Sequence, residues 1–268
     1  MKISFSTLAC PKWSWNKIVD EAQKNGYDGI EIRGIEGELN LIKIGAFLPE
    51  NLKNTLLLLQ ERKIEISCLD TSCSFHSKEN LQKSLKEGKE AIDLAQKLNC
   101  RFIRVFGNNI SDPTREEEII SQIAAGLSEL VDYSEGKNVT VLIENHGEFS
   151  QAEKVLKLLS KVNRANIGVL WDVTNAYTDY GEDIEVTFNG LRNYIRHTHV
   201  KDAKGVYPNA ELCLIGEGNL SVKKMVELLK SQGYDGWLSL EWEKMWHPEL
   251  EEPEVVVPLY INHVKQYL

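Results

Sequence analysis

The chain has 268 residues, of which 42% are hydrophobic, and a formal net charge of -9 at pH 7. This composition is typical of a globular protein with a full apolar core, and no apolar run approaches the roughly 20 residues that a membrane-spanning helix needs. The acidic balance would repel a phosphate backbone, so neither nucleic acid nor a membrane is an expected partner. The N-terminus lacks the pattern of a signal peptide, which predicts a cytoplasmic location.

Eight short runs with β-strand character alternate with amphipathic helical stretches along the chain. The predicted strands are Lys2–Ala9, Gly29–Gly34, Glu65–Thr71, Arg101–Gly107, Thr140–His146, Ile167–Val173, Ile195–Asp202 and Gly236–Glu243. Eight strand–helix units in about 250 residues are typical of a closed (β/α)8 TIM barrel. We therefore predict an α/β fold with a single barrel domain over residues 1–268. A doubly wound open sheet is the alternative, although it rarely contains eight such even repeats.

Three of the helical stretches have unusual features. One starts at Pro49, a residue that the first turn of a helix tolerates. Another, over Asp183–Tyr194, has a weak helical pattern, and the C-terminal one contains Pro258. We expect all three to form helices of the barrel's outer layer.

The phrase Gly-Tyr-Asp-Gly occurs twice, at residues 26–29 and 233–236. In each copy the first glycine follows a predicted helix, where a left-handed C-cap is common, and Asp-Gly favours a turn into the next strand. We interpret the repeat as a structural connection into strands two and eight, with the tyrosine covering the base of the helix.

Potential metal ligands stand at the ends of four consecutive predicted strands. They are Glu144 on strand five, Asp172 on strand six, His199 on strand seven and Glu241 on strand eight. Because the active sites of these barrels form at the carboxyl ends of the strands, the four side chains would meet at one rim. Three buried carboxylates need compensation, and three oxygens with one imidazole suit one Mn²⁺, Mg²⁺, Zn²⁺ or Co²⁺ ion. The alternative is that they pair with lysines and arginines of the barrel.

Four segments resemble the xylose-isomerase-like TIM-barrel superfamily of sugar phosphate isomerases and epimerases. They read VLIENHG, LWDVTNAY, HTHVKD and IGEGNLSVKKMVELLKSQGYDGWLSLEWE. The resemblance implies that one divalent metal is held by Glu144, Asp172, His199 and Glu241. It also implies that the two glutamates move a proton next to a carbonyl of a sugar, through a metal-stabilised cis-enediolate. The chain would then be a metal-dependent isomerase or epimerase.

Two other activities fit the same sequence. One is an inosose-type dehydratase that uses the same metal site, and the other is a noncatalytic carbohydrate-binding barrel. Many relatives have Asp-x-x-His on strand six, whereas this chain has Asn175 at the histidine position. An asparagine can hydrogen-bond a sugar hydroxyl but cannot shuttle a proton. The six histidines of the chain are too few for the trinuclear zinc cluster of the related AP endonucleases.

Residues near the predicted rim are candidate contacts for a small sugar or polyol substrate. They are His76, His146, Asn175, Lys201, Glu217 and Trp246. Lys201 would neutralise a substrate oxyanion or pair with a barrel carboxylate, and His146 would contact substrate or support a ligand. His76 and Glu217 are alternatively loop and capping residues.

Three further expectations concern the core and the surface of the chain. We expect His197 to be a packed core residue, and Arg104 to meet either a phosphate or an internal carboxylate. Trp246 and the apolar C-terminal tail are candidate contacts with a second subunit in a homo-oligomer.

Overall fold

The computed structural model describes residues 1–110 and 112–268, and a closed barrel of parallel strands forms its centre. In chain order the strands are β1 (Lys2–Ser6), β2 (Gly29–Ile32), β3 (Glu65–Ser74), β4 (Phe102–Phe106), β5 (Thr140–Glu144), β6 (Ile167–Asp172), β7 (Ile195–Val200), β8 (Asp202–Lys204), β9 (Glu211–Cys213) and β10 (Trp237–Leu240). The barrel closes in the order β1-β10-β7-β6-β5-β4-β3-β2, and β8 and β9 form a separate antiparallel hairpin. The predicted (β/α)8 barrel is therefore confirmed.

Helices connect the barrel strands and cover their outer surface. They are α1 (Trp15–Asn25), α2 (Leu52–Arg62), α3 (Leu81–Lys97), α4 (Glu116–Ser134), α5 (Ala152–Val162), α6 (Asn175–Tyr180), α7 (Ile184–Leu191), α8 (Val222–Ser231) and α9 (Pro253–Val264). In α1 the buried residues Trp15, Ile18, Val19 and Ala22 have helical spacing, so one face packs on the barrel. None of the helices in the described ranges combines the length and apolarity needed to cross a bilayer.

The predicted strands differ from the observed ones by one to three residues at one end or both. Two of the boundary differences have a clear structural cause. Helix α2 begins at Leu52 rather than Pro49, because a turn closed by Asn51 N donating to Leu48 O (2.9 Å) precedes it. The seventh predicted strand does not continue to Asp202 but ends at Val200. Lys201 interrupts it, and Asp202 instead begins the β8–β9 hairpin.

The repeated Gly-Tyr-Asp-Gly phrase connects a helix to a strand in both places. Gly26 and Gly233 adopt left-handed backbone conformations with φ of 78° and 70°. The carboxylate of Asp28 accepts a hydrogen bond from Ile3 N (2.8 Å), which fixes the first turn to β1. Tyr27 is buried and its hydroxyl donates to Val257 O in α9 (2.6 Å). Tyr234 is half-buried and donates to Trp237 O (3.0 Å). The phrase is therefore a scaffold element, as expected.

The different burial of the two tyrosines gives a test of this role. We expect Tyr27→Phe to lower the free energy of unfolding by about 1 kcal/mol, because it removes a buried hydrogen bond between α9 and the base of the barrel. Tyr234→Phe is the matched control and should cost less, because water can replace its hydrogen bond. Urea unfolding followed by circular dichroism measures both values. An equal loss of unfolding free energy in the two variants would show that the buried hydrogen bond of Tyr27 to α9 stabilises the fold no more than the half-buried one of Tyr234.

Candidate metal centre

The strand register brings the four predicted ligands to one rim. Glu144 and Asp172 are the last residues of β5 and β6, His199 is the penultimate residue of β7, and Glu241 directly follows β10. Asp172 lies beside His199 in the β6–β7 pair. Glu241 N donates to Val200 O (3.2 Å), which sets this residue beside the end of β7. We call Glu144, Asp172, His199 and Glu241 the ligand cluster; all four are buried.

The ligand cluster converges on the Nδ1 atom of His199. This atom lies 3.5 Å from Glu144 Oε1, 3.8 Å from Asp172 Oδ2 and 3.3 Å from Glu241 Oε2. One potential ligand atom from each of the four residues lies within 4.8 Å of all the others. This spacing is compact enough for the four atoms to share one cation.

The central atom of the ligand cluster, His199 Nδ1, lacks a hydrogen bond within the described residues. Asp172 Oδ2 and Glu144 Oε2 have charged neighbours only, Lys201 and Arg104. Buried polar atoms are normally hydrogen-bonded, so such a group needs an explanation. Three carboxylate oxygens and one imidazole nitrogen are a donor set that suits divalent cations. The residues present therefore fit the predicted metal ion.

Two buried cations contact the ligand cluster. Lys201 Nζ lies 2.9 Å from Asp172 Oδ2, 2.6 Å from Glu241 Oε2 and 2.7 Å from Glu243 Oε1. Arg104 Nε lies 3.1 Å from Glu144 Oε2. The carboxylates of the ligand cluster therefore also pair with a lysine and an arginine of the barrel, which was the alternative predicted from the sequence. Arg104 contacts internal carboxylates, because its Nη2 lies 3.6 Å from Asp70.

The charges of the ligand cluster follow from burial and from these contacts. Burial opposes ionisation of Glu241, but His199 and Lys201 hold its pKa well below the ordinary value. Burial likewise opposes ionisation of Glu144, and Arg104 and His199 lower its pKa. Burial raises the pKa of Asp172 to about 7 against the effect of Lys201. The two glutamates are therefore carboxylates at neutral pH, which is the form that accepts a proton.

A network of amides holds Asp172 in place. Its Oδ1 atom accepts hydrogen bonds from Thr174 N (2.8 Å) and Asn175 N (3.0 Å). Asn145 accepts from Asp172 N (2.7 Å) and donates to Asp172 O (2.9 Å). The side chain of Asn175 donates to Asn145 O (3.0 Å). Asn175 thus supports this network and leaves Oδ2 of Asp172 directed to the ligand cluster.

Glu31 on β2 is a further site residue, which the sequence analysis missed. Its carboxylate is buried and contacts His199 Nε2 with one oxygen and His197 Nε2 with the other, the latter at 2.5 Å. Because an ionised carboxylate only accepts hydrogen bonds, both Nε2 atoms carry protons. Against the effect of burial, Glu241, Glu31 and Glu144 raise the pKa of His199 well above its ordinary value, so metal binding would have to displace a proton from this ring. The lone pair released would be on Nδ1, the atom that faces the three carboxylates. Glu31 thus sets the tautomer that can bind a metal.

The structure places the other predicted substrate contacts outside the ligand cluster. The His146 ring is half-buried and packs on Phe106, with ring centroids 4.9 Å apart. His76 is half-buried after β3, and Glu217 is exposed in a loop. That loop folds around Asp202, whose carboxylate accepts from Gly216 N and Gly218 N (both 2.9 Å). Trp246 is 47% exposed and covers the guanidinium of Arg33 at 5.9 Å from the ring centroid.

Comparisons with known proteins agree with this architecture. Residues 19–257 match the family described as xylose isomerase-like TIM barrel. The fructoselysine 3-epimerase of Shigella flexneri is 24% identical over 245 residues, which cover 85% of each chain. The L-ribulose-5-phosphate 3-epimerase UlaE of Salmonella heidelberg (strain SL476) is 24% identical over 259 residues, covering 94% of this chain and 89% of the relative.

Solved structures share the fold at low sequence identity. A crystal structure described as the IOLI protein with a binding zinc atom superimposes with a TM-score of 0.82 and 20% identity, covering 100% of this chain and 99% of that one. A D-tagatose 3-epimerase-like protein superimposes with a TM-score of 0.76 and 22% identity, covering 99% of each chain.

The ligand cluster predicts how much metal the protein binds. Purified protein loaded with Mn²⁺, Mg²⁺, Co²⁺ or Zn²⁺ should hold about one ion per chain by elemental analysis, because the four donor atoms share one position. His199→Ala removes the only nitrogen ligand and should abolish or strongly weaken binding, while the circular dichroism spectrum confirms folding. A wild-type protein without metal under every loading, or unchanged loading in the variant, would contradict the site.

The hydrogen bonds of Glu31 predict an indirect effect on the metal. A glutamine at position 31 accepts from one histidine but must donate to the other. When it donates to His199, the imidazole proton moves to Nδ1 and blocks the ligand atom. We expect Glu31→Gln to weaken metal affinity by about 10- to 100-fold in a chelator competition titration. Glu65→Gln, at the opposite end of the barrel, is the control and should bind as the wild type does. Unchanged affinity in Glu31→Gln would rule out the positioning role.

Proposed function

Because the chain belongs to the xylose isomerase-like TIM barrel family, we propose that it is a divalent-metal-dependent sugar isomerase or epimerase. The observation that carries the proposal is the convergence of two ionised glutamates, Glu144 and Glu241, on one potential metal position at the catalytic rim of the barrel. A protein that only binds sugar has no need for such a pair. The names of the two relatives, both 3-epimerases, support the same reaction class.

The ligand cluster would hold the metal, with Glu31 orienting His199 from behind. The bound cation would supply Lewis acidity toward the oxygens of a substrate carbonyl and its neighbouring hydroxyl. Asp172 would serve as a ligand through Oδ2, because its other oxygen is occupied by two backbone amides.

The two glutamates would transfer the proton. One carboxylate removes a proton from the carbon next to the carbonyl, which gives a cis-enediolate, and the other returns a proton to the opposite face or to the neighbouring carbon. Each glutamate has its own cation beside it: Arg104 at Glu144 and Lys201 at Glu241. These cations keep both groups ionised before the reaction. Asn175 cannot share in the proton transfer, because an amide does not titrate in this range.

A cavity next to the ligand cluster has room for a substrate. It measures about 570 Å³, and its lining includes Asn175, Lys201, Tyr207, Glu243 and His247. A cavity of about 630 Å³ lies at the amino ends of the strands, against Lys2, Glu65 and Trp237, where barrels of this type do not carry active sites. We therefore assign the sugar to the first cavity and to the rim above the ligand cluster.

Solvent isotope exchange tests the proposed reaction. The metal-loaded protein is incubated in D₂O with a panel of ketoses and aldoses, and products are analysed by NMR and mass spectrometry. An isomerase or epimerase gives an isomer of the substrate that carries deuterium at the carbon next to the carbonyl. A dehydratase gives a product that has lost water. Exchange without product, or binding without exchange, would contradict the proposal.

The two glutamates should be essential for this exchange. We expect Glu144→Gln and Glu241→Gln each to lower kcat by about 100-fold or more, because each removes a proton acceptor. The control is again Glu65→Gln, which should keep wild-type activity. Metal content measured on every sample separates loss of chemistry from loss of the ion. A variant with its metal and full exchange would exclude that glutamate as a catalytic residue.

A further inference from the structure

Arg33 is a buried cation at the same end of the barrel as the ligand cluster. It directly follows β2 and is only 7% exposed. Its backbone N donates to Thr7 Oγ1 (3.0 Å), and its Nη2 donates to Ser72 Oγ (2.8 Å). These two hydrogen bonds fix the backbone and one edge of the guanidinium. The side chain therefore has a defined position.

No carboxylate pairs directly with the guanidinium of Arg33 within the described part of the chain. Its hydrogen-bond acceptor there is a neutral hydroxyl, and Nη1 is buried without any partner. Arg104 and Lys201 differ, because each of them contacts two or more carboxylates. Burial of a charge without a counter-ion is costly. A buried guanidinium without a direct ion pair is therefore expected where a bound ligand supplies the opposite charge.

The surroundings of Arg33 connect it to the catalytic rim. The indole of Trp246 lies over the guanidinium, within the range of a cation–π contact. Trp246 belongs to the segment that follows β10, five residues after Glu241. Burial and Arg104 lower the pKa of Arg33, while Asp70, Glu87 and Glu241 are near enough to raise it. Glu87 Oε1 also accepts a hydrogen bond from Ser72 N (2.6 Å). A ligand at the ligand cluster would thus extend toward Arg33 beneath an exposed aromatic ring.

We propose that Arg33, with the hydroxyl of Ser72, binds an anionic group of the substrate, a carboxylate or a phosphate. A guanidinium offers two parallel N–H donors to such a group, and Ser72 can add its own O–H. This inference rests on the proposed function and narrows its substrate class to acidic sugars. The inference concerns a single buried site. The protein as a whole repels anions, because the net charge of the chain is -9. Trp246 would cover the bound group and shield it from water.

Equilibrium binding to the metal-loaded protein tests this subsite without requiring turnover. The probes are L-ribulose, L-ribulose 5-phosphate and L-ribonate, titrated by calorimetry. We expect at least one of the two anions to bind roughly tenfold or more tightly than the neutral sugar, as a charged hydrogen bond permits. Arg33→Gln should remove this preference while it leaves L-ribulose affinity unchanged, and Arg33→Lys should keep part of it. The better anion identifies the group that the subsite takes.

A preference absent from the wild type, or retained in Arg33→Gln, would overturn the proposal. This failure is distinct from failure of the proposed function, which isotope exchange and Glu144→Gln decide separately. Thermal unfolding adds a second criterion. Arg33→Met removes a buried charge that no carboxylate pairs with directly, so it should unfold at the same or a higher temperature than the wild type. A clear fall in Tm would assign Arg33 to a structural role and would also count against the subsite.

Discussion

The convergence of three buried carboxylates on one imidazole is the constraint on which the rest of the site depends. Their mutual repulsion in a buried environment has to be compensated. The chain supplies a cation behind the glutamates, Arg104 for Glu144 and Lys201 for Glu241, and a carboxylate, Glu31, behind His199. Each outer partner neutralises or orients one member of the ligand cluster. A metal ion shared by the ligand cluster would therefore compete with Lys201 for Asp172 Oδ2 and Glu241 Oε2.

This arrangement makes the barrel interior ionic while the outer layer carries the apolar core. Strands β2 and β7 are separated by β1 and β10 in the sheet, so the contact of Glu31 with the two histidines crosses the interior. Asp70 lies in the same interior, where burial and the charge of Glu31 raise its pKa well above the ordinary value. Arg104 opposes this rise, because its Nη2 lies 3.6 Å from Asp70 Oδ2. Hydrophobic packing between strands and helices can then stabilise the fold while the interior is reserved for charge.

The sequence was sufficient for features that repeat locally or end an element. Periodicity predicted the eight barrel strands, and the rule that parallel strands share one catalytic end predicted that Glu144 and Asp172 meet. Glu31 escaped prediction because its partners lie 166 and 168 residues away and no local pattern marks the contact. His197 was expected to be a packed core residue; it is fully buried, but its hydrogen bond to Glu31 gives it a polar role as well.

The proposed metal and proton-transfer groups lie on one side of the rim, and the proposed anion subsite at Arg33 lies on the other. Strands β5, β6, β7 and β10 carry the groups that would hold the metal and move the proton, and Asn175 is engaged there in holding Asp172 through Asn145. One N–H of the Asn175 amide donates to Asn145, which leaves its second N–H and its carbonyl oxygen for a substrate hydroxyl. An anionic group binds more strongly to a cation, and across the barrel Arg33 is a buried cation with no directly paired carboxylate in the described part of the chain. If Arg33 binds the anionic group as proposed, a substitution there would alter substrate selection while Glu144 and Glu241 keep their own contacts with Arg104 and Lys201.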